Sequence, residues 1–326
     1  LRCADPSARA LGACRQGGSL METYALLLAA TLQAGTVLAL AALGLLINEK
    51  AGVVNLGAEG MMLCAAIAGF ATVVHTGSDA LGFAAGMLAG ALMAAVFGAL
   101  VVGLNTNPYA TGLALSLLGT GLSAFVGVAY VQAKVPERQS YAVPWLSDVP
   151  WLGDALFKHH PMVYAVIGLT LFLMWWFEHT RTGLVLRAVG ESPQSAHALG
   201  HPVRRIRMLA VVAGGALCGL SGAYLSVIYT PLWVEGMVAG KGWIALALTT
   251  FATWRAARVL WGAYLFGGVT MLQFHLQASG WEIPSQFLSM WPYLATIVVL
   301  ALISKNPIWI KANMPASLGK PFTPGS

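Results

Sequence analysis

Long apolar blocks separated by short polar joints run the length of this chain. A helix of about 20 apolar residues crosses the ~30 Å hydrocarbon layer, and fewer residues are needed where the helix is broken. Such blocks lie near 24–47, 58–75, 80–104, 109–131, 161–177, 208–229, 241–254, 259–277 and 287–304. The pattern predicts an all-α polytopic membrane protein with about nine (8–10) transmembrane helices. A transmembrane β-barrel would instead alternate polar and apolar residues in segments of about 10.

The joints carry the remaining information. Residues 48–60 are too polar to face lipid and too short to form a domain. Residues 132–160, with Pro136, Pro144, Pro150 and Pro161 close by, read as an extracytoplasmic loop. Residues 178–207 hold Arg181, Arg187, Arg204, Arg205 and Arg207 and form the most basic joint. Cytoplasmic loops are enriched in Lys and Arg. Placing 178–207 inside also puts Lys50, Arg255, Arg258 and the 305–326 tail inside, which gathers eleven of the eighteen basic residues there.

Two joints resemble each other. Gly57-Ala58-Glu59-Gly60 and Ala239-Gly240-Lys241-Gly242 each open an apolar run that closes on Phe-Ala-Thr, at Phe70 and Phe251. The charge-derived topology runs these segments in opposite directions, as in an inverted internal repeat with interrupted helices. A polar, glycine-bracketed break at membrane depth must line a cavity or pack within protein. The two breaks therefore nominate Asn55, Glu59, Trp233, Glu235, Lys241 and Trp243 as candidate substrate-path residues. Asn107 and Thr111, at the start of the fourth span, join them. Helix packing explains the hydroxyls of that span equally well.

Composition narrows the class further. Hydrophobic residues make up 58% and charged residues 9% of the 326 positions. Soluble domains run near ~45–50% apolar and about 25% charged, so a soluble enzyme or disordered chain is excluded. The net charge of +6 reads as an orientation signal, and no nucleic-acid partner is expected. The four cysteines form no C-x-x-C pair and no Cys/His cluster exists, so neither a metal site nor a disulfide framework is indicated. No catalytic residues are expected. Residues 1–20 precede the first methionine, Met21, and read as a non-native or disordered leader to a single transmembrane domain over 21–326.

Within the basic joint, Ser192 and Pro193 start a short helix and Gly200 and Pro202 stop it. Two turns on the cytoplasmic side suit either a docking element or a plain connection. The chain lacks a G-x-x-x-x-G-K-[ST] phosphate loop, so any ATP-driven motor is another subunit.

Four segments carry a family resemblance. NEKAGVVNLGAEGMML from Asn48 resembles the signature of ABC-importer permeases of the branched-chain amino acid/simple sugar superfamily. NPYATGLALSLLGTGLSAF from Asn107 and PLWVEGMVAGKGWIALAL from Pro231 resemble segments of its nucleoside (basic-membrane-protein type) branch. LRAVGESPQSAHALG from Leu186 resembles its coupling helix. Gly236 departs from the polar residue expected there.

The resemblance implies a multi-pass permease of the bacterial inner membrane, not itself an enzyme. It would move a nucleoside or purine-like solute by alternating access. A simple-sugar ABC permease is the alternative, and an ion-coupled secondary transporter a more distant one. It implies a cytoplasmic ATP-binding subunit that uses ATP while this chain binds no cofactor. It also implies a second permease subunit in a hetero- or homodimer and an extracytoplasmic solute-binding lipoprotein. Coupling to the ATPase is then assigned to Gly190, Glu191, Ala196 and Gly200.

Overall fold

The computed structural model describes residues 6–135, 141–142, 156–278, 284, 287, 290–304 and 313–323, with side chains described only from Thr23 onward. Most of the expected external loop and residues 1–5, 305–312 and 324–326 lie outside the described residues.

The helices in chain order are α1 (Pro6–Lys50), α2 (Ala58–Thr76), α3 (Asp79–Gly98), α4 (Pro108–Gly127), α5 (Pro161–His179), α6 (Arg181–Glu191), α7 (Pro193–Ala198), α8 (Val203–Tyr224), α9 (Lys241–Phe251), α10 (Ala256–Ala278) and α11 (Trp291–Ser304). Helices α3 and α8 each continue into a π turn, Ala99–Gly103 and Leu225–Tyr229. Between α4 and α5 a two-residue antiparallel ribbon pairs β1 (Tyr141–Ala142) with β2 (Lys158–His159).

Local chemistry sets the boundaries. Asn107 Oδ1 accepts from the N–H groups of Tyr109 (2.9 Å) and Ala110 (3.3 Å), and Pro108 opens α4, where its missing N–H is harmless. Thr180 Oγ1 accepts from Gly183 N (3.1 Å) to start α6, and Ser192 Oγ accepts from Ser195 N (3.3 Å) to start α7. Gly77, at φ +68°, ends α2 with a left-handed residue whose N–H reaches Val73 O.

Among the described residues, seven helices are long and apolar enough to cross a membrane: those within Thr23–Lys50, Ala58–Thr76, Asp79–Gly103, Pro108–Tyr130, Pro161–His179, Val203–Tyr229 and Ala256–Ala278. They match seven of the nine expected spans. The other two coincide with α9 and α11, which have 11 and 14 residues. At 1.5 Å per residue α9 is roughly 16 Å long, about half a hydrocarbon layer.

Helices α1, α2 and α8 form the centre. Along α1, Val37 to Leu46 are buried without a break, on every side of the helix. Helix α3 packs on α8, α1 on α10 and α8, and α2 on α3, α4 and α8, while α9 lies against α1 and α2. These crossings are close because glycines meet backbone. A Cβ on Gly90 of α3 would stand 2.6 Å from Gly219 Cα of α8, and one on Gly267 of α10 would stand 2.6 Å from Gly35 N of α1. Small residues that let backbones approach are the main packing device where lipid removes any hydrophobic drive.

The ends assigned to the cytoplasm by charge lie together: Lys50, Arg187, Arg255 and Arg258 line one cavity at that face.

Gly90→Ala is expected to destabilise the folded protein by roughly 1–3 kcal/mol, because α3 cannot withdraw from α8 without loosening the centre. Gly168→Ala, on α5 with open space around it, is expected to be neutral or slightly stabilising. Thermal unfolding of the two variants in one detergent checks the contrast.

Candidate translocation site and coupling face

Helix α9 begins inside the bundle without a side-chain cap of its own. Its N-cap is Gly240, left-handed at φ +81°, and the N–H groups of its first turn have no local acceptor side chain. Glu59, at the second position of α2, supplies the acceptor. Its Oε1 accepts from Gly240 N (2.8 Å) and its Oε2 from Gly242 N (2.7 Å). One carboxylate thus lies at the positive ends of two helices, its own and α9, where a negative charge is favoured. Gly242 is required by this contact, since a Cβ there would meet the Glu59 backbone at 2.7 Å. Lys241 turns its ammonium onto the carbonyls of Val238 (3.2 Å) and Met237 (3.5 Å) rather than pairing with Glu59. Trp243, 37% exposed, stands on the first turn of α9 beside them.

The other end of α9 is held by a second carboxylate. Glu49, 2% exposed in the last turn of α1, accepts from Thr249 Oγ1 at 2.9 and 2.8 Å and from Trp254 Nε1. Trp254 and Thr253 both adopt left-handed backbone (φ 53° and 48°), a sparsely populated conformation for bulky or β-branched residues. Glu49 and Glu59 lie ten residues apart and grip opposite ends of α9. The non-helical residues 51–57 connect the two, buried at every position but the half-buried Leu56.

The turn at 51–57 is shaped by its own polar groups. Asn55 is fully buried: its Oδ1 accepts from Gly57 N (2.9 Å) and its amide rests on Met61 Sδ (3.5 Å). Ser116 Oγ on α4 donates to Leu56 O (2.9 Å).

Of the residues nominated from sequence, Glu59, Lys241 and Trp243 meet at the α2–α9 junction, with Asn55 in the adjoining turn. The others lie elsewhere. Asn107 caps α4 and Thr111 bonds the Thr106 hydroxyl (2.9 Å), both N-terminal to the α4 contact with that turn. Trp233 is 2% exposed and packs in an apolar cluster with Phe70 and Val227, its ring against Gly127. Glu235 is exposed on the 230–240 segment.

At the face assigned to the cytoplasm by charge, α6 and α7 are two short helices of 11 and 6 residues. Gly190 and Ala196 face inward. A Cβ on Gly190 would collide with the Lys50 carbonyl, and Ala196 is buried with Val189, Val203 and Phe322. Glu191, Leu199 and Gly200 face outward, and Gly200 takes φ +86°.

Sequence reasoning did not single out the Glu49–Thr249–Trp254 contact, nor the buried Arg207 and its partner Ser317. Glu49 itself was legible as part of the polar 48–60 break, but nothing in the sequence signals its partner Thr249, or Ser317. Among the described residues no group of three His, Cys, Asp or Glu could hold a metal.

Comparison with known proteins places these features. The family model described as "Branched-chain amino acid transport system / permease component" matches residues 27–303. A Haloferax volcanii protein, provisionally named a glucose ABC transporter permease protein, is 40% identical, covering 91% of this chain and 97% of its own length. A nucleoside ABC transporter permease protein of Lactococcus lactis is 32% identical, covering 90% and 97%. A guanosine ABC transporter permease protein of Bacillus subtilis is 29% identical, covering 94% and 99%. No solved structure matches the chain. With seven apolar spanning helices and a family match over most of its length, the chain is a multi-pass inner-membrane protein that belongs to the branched-chain amino acid/simple sugar ABC permease family, in its sugar and nucleoside group.

Proposed function

We propose that this chain moves a nucleoside or purine-like solute inward by alternating access, at the junction where Glu59 joins α2 to α9. The observation that carries this reading is the meeting of two broken helices through one carboxylate. Discontinuous helices whose N-termini converge within the bundle are the usual surroundings of a transported solute.

An inverted repeat is supported by how the helices pack. Exchanging α1 with α8, α2 with α9 and α3 with α10 turns the α3–α8 contact into the α1–α10 contact, and the α2–α8 contact into the α1–α9 contact. The glycine crossings follow the same exchange, Gly90 on Gly219 and Gly267 on Gly35. On this reading α9 and α11 complete the expected nine membrane elements.

Trp243 offers an aromatic face and Glu59 with Lys241 offer polar contacts at one place, a combination suited to a heterocycle carrying a sugar. The nucleoside and guanosine permeases among the relatives agree with that. A hexose is the second reading, favoured by the 40% identical relative named for glucose. The outward residues Glu191 and Gly200, which flank α7, would meet a cytoplasmic ATPase, with Gly190 and Ala196 transmitting its movement inward. A second permease subunit and an extracytoplasmic solute-binding lipoprotein complete the importer.

Uptake of labelled guanosine in cells carrying the whole transporter should require an active ATPase subunit and be competed by unlabelled nucleoside but not by glucose. Competition by glucose alone selects the hexose reading, and uptake that survives a dead ATPase but collapses with the proton gradient overturns both. Glu59→Gln should reduce uptake about fivefold or more while leaving the protein in the membrane, because a charge-assisted cap contributes ~1.5–3 kcal/mol. Glu191→Lys and Gly200→Leu should each leave insertion intact and uncouple ATP hydrolysis from uptake; normal uptake in both removes the coupling assignment.

A further inference from the structure

Residues 313–323 cross the face assigned to the cytoplasm and touch the end of α1, the 51–57 turn, α6, α7 and α8. Ser317 is the knot. Its hydroxyl donates to Gly190 O at 2.6 Å and accepts from Arg207 Nη2 at 2.9 Å, while its N–H donates to the same Gly190 carbonyl at 3.1 Å. Gly319 N donates to Gly52 O (3.0 Å) in the turn that leads to Glu59, and Lys50 Nζ donates to Asn313 O (3.3 Å). Phe322, 5% exposed, fills the gap between α6, α7 and α8, with the His197 ring against its own at 5.6 Å.

Arg207 explains why this segment stays in place. It is 3% exposed in the first turns of α8 and has no carboxylate partner among the described residues. Its guanidinium donates to Ser317 Oγ and, at 3.1 Å, to Lys320 O. A buried cation stripped of its hydrogen-bond acceptors is strongly unfavourable. Lifting the segment would strand Arg207, so the segment and α8 stay together as the face moves.

We infer that residues 313–323 form a transmission clasp that makes the coupling helix α7 and the 51–57 turn move as one body, with Ser317 as its positioning residue. The inference rests on the coupling role proposed for α7. Apart from the clasp, α7 is linked to the turn through α6, whose Gly190 lies against the backbone of Lys50 and Ala51. With it, Gly190, Ala196, Gly52 and Arg207 share one strap, and a displacement imposed on α7 arrives at the residues just before Glu59.

The test measures solute moved per ATP hydrolysed by the complete transporter in vesicles, together with the amount of each subunit in the membrane. Ser317→Ala should lower solute per ATP about fivefold, the effect of losing ~1 kcal/mol of hydrogen bonding, with the ATPase subunit still bound and ATP hydrolysis maintained. Ser317→Thr, which keeps the hydroxyl, should restore most of it. A chain truncated after residue 312 should show a larger loss of the same kind. An unchanged ratio in Ser317→Ala, or uptake, hydrolysis and membrane yield falling together, overturns the clasp. If the truncated chain does not reach the membrane, the two Ser317 variants decide alone. Wild-type uptake that needs no ATP overturns the coupling reading and the clasp with it, whereas failure of the clasp alone leaves wild-type uptake ATP-dependent.

Discussion

A helix that starts inside a membrane protein presents N–H groups with no water to answer them. Helix α9 starts that way, and Glu59 answers it from the first turn of α2. Much of the surrounding sequence follows from that contact. Gly242 is small because the Glu59 backbone and carboxylate come so close, and Gly240 because its backbone is left-handed and a Cβ there would meet the Tyr293 hydroxyl. Residues 51–57 are unwound because α1 must end at Lys50 and α2 must begin where Glu59 can reach α9. Asn55 and Ser116 then satisfy the backbone that the unwinding leaves free.

Glu49 gives the arrangement its second anchor, and the pair explains how an 11-residue helix holds its place. One carboxylate fixes the N-terminal end and the other fixes the C-terminal end. Both belong to the stretch that reaches the cytoplasmic face at Lys50 and Gly52. The proposed substrate path and the face assigned to the cytoplasm are therefore joined by a few residues of chain, not by a long relay. The glycine crossings of α1, α3, α8 and α10 leave the rest of the bundle as stiff, closely packed units, which favours movement as bodies over local softening.

The spans were legible because lipid imposes long apolar runs, and the seven long ones appear close to where the apolar blocks put them. Short helices were legible where caps are written locally, as at Ser192-Pro193 and Gly200 for α7. Glu59 and Lys241 were legible because a charge between glycines in an apolar run has few harmless placements. Trp233 was not, since a tryptophan beside a break reads the same whether it lines a path or packs against Gly127. Thr249, Trp254, Arg207 and Ser317 were illegible for a different reason. Their partners lie 110 or more residues away in the chain, and no local pattern encodes such a pairing.

The central claim is that the α2–α9 junction opens alternately to the two sides of the membrane. Its most direct measurement places a single cysteine at Trp243, with the native cysteines replaced, in the complete transporter. Labelling by a membrane-impermeant thiol reagent is then followed from each side, with and without ATP. The account predicts that reactivity switches from one side to the other between nucleotide states. Labelling from the same side in every state, or from neither side in any, would contradict it.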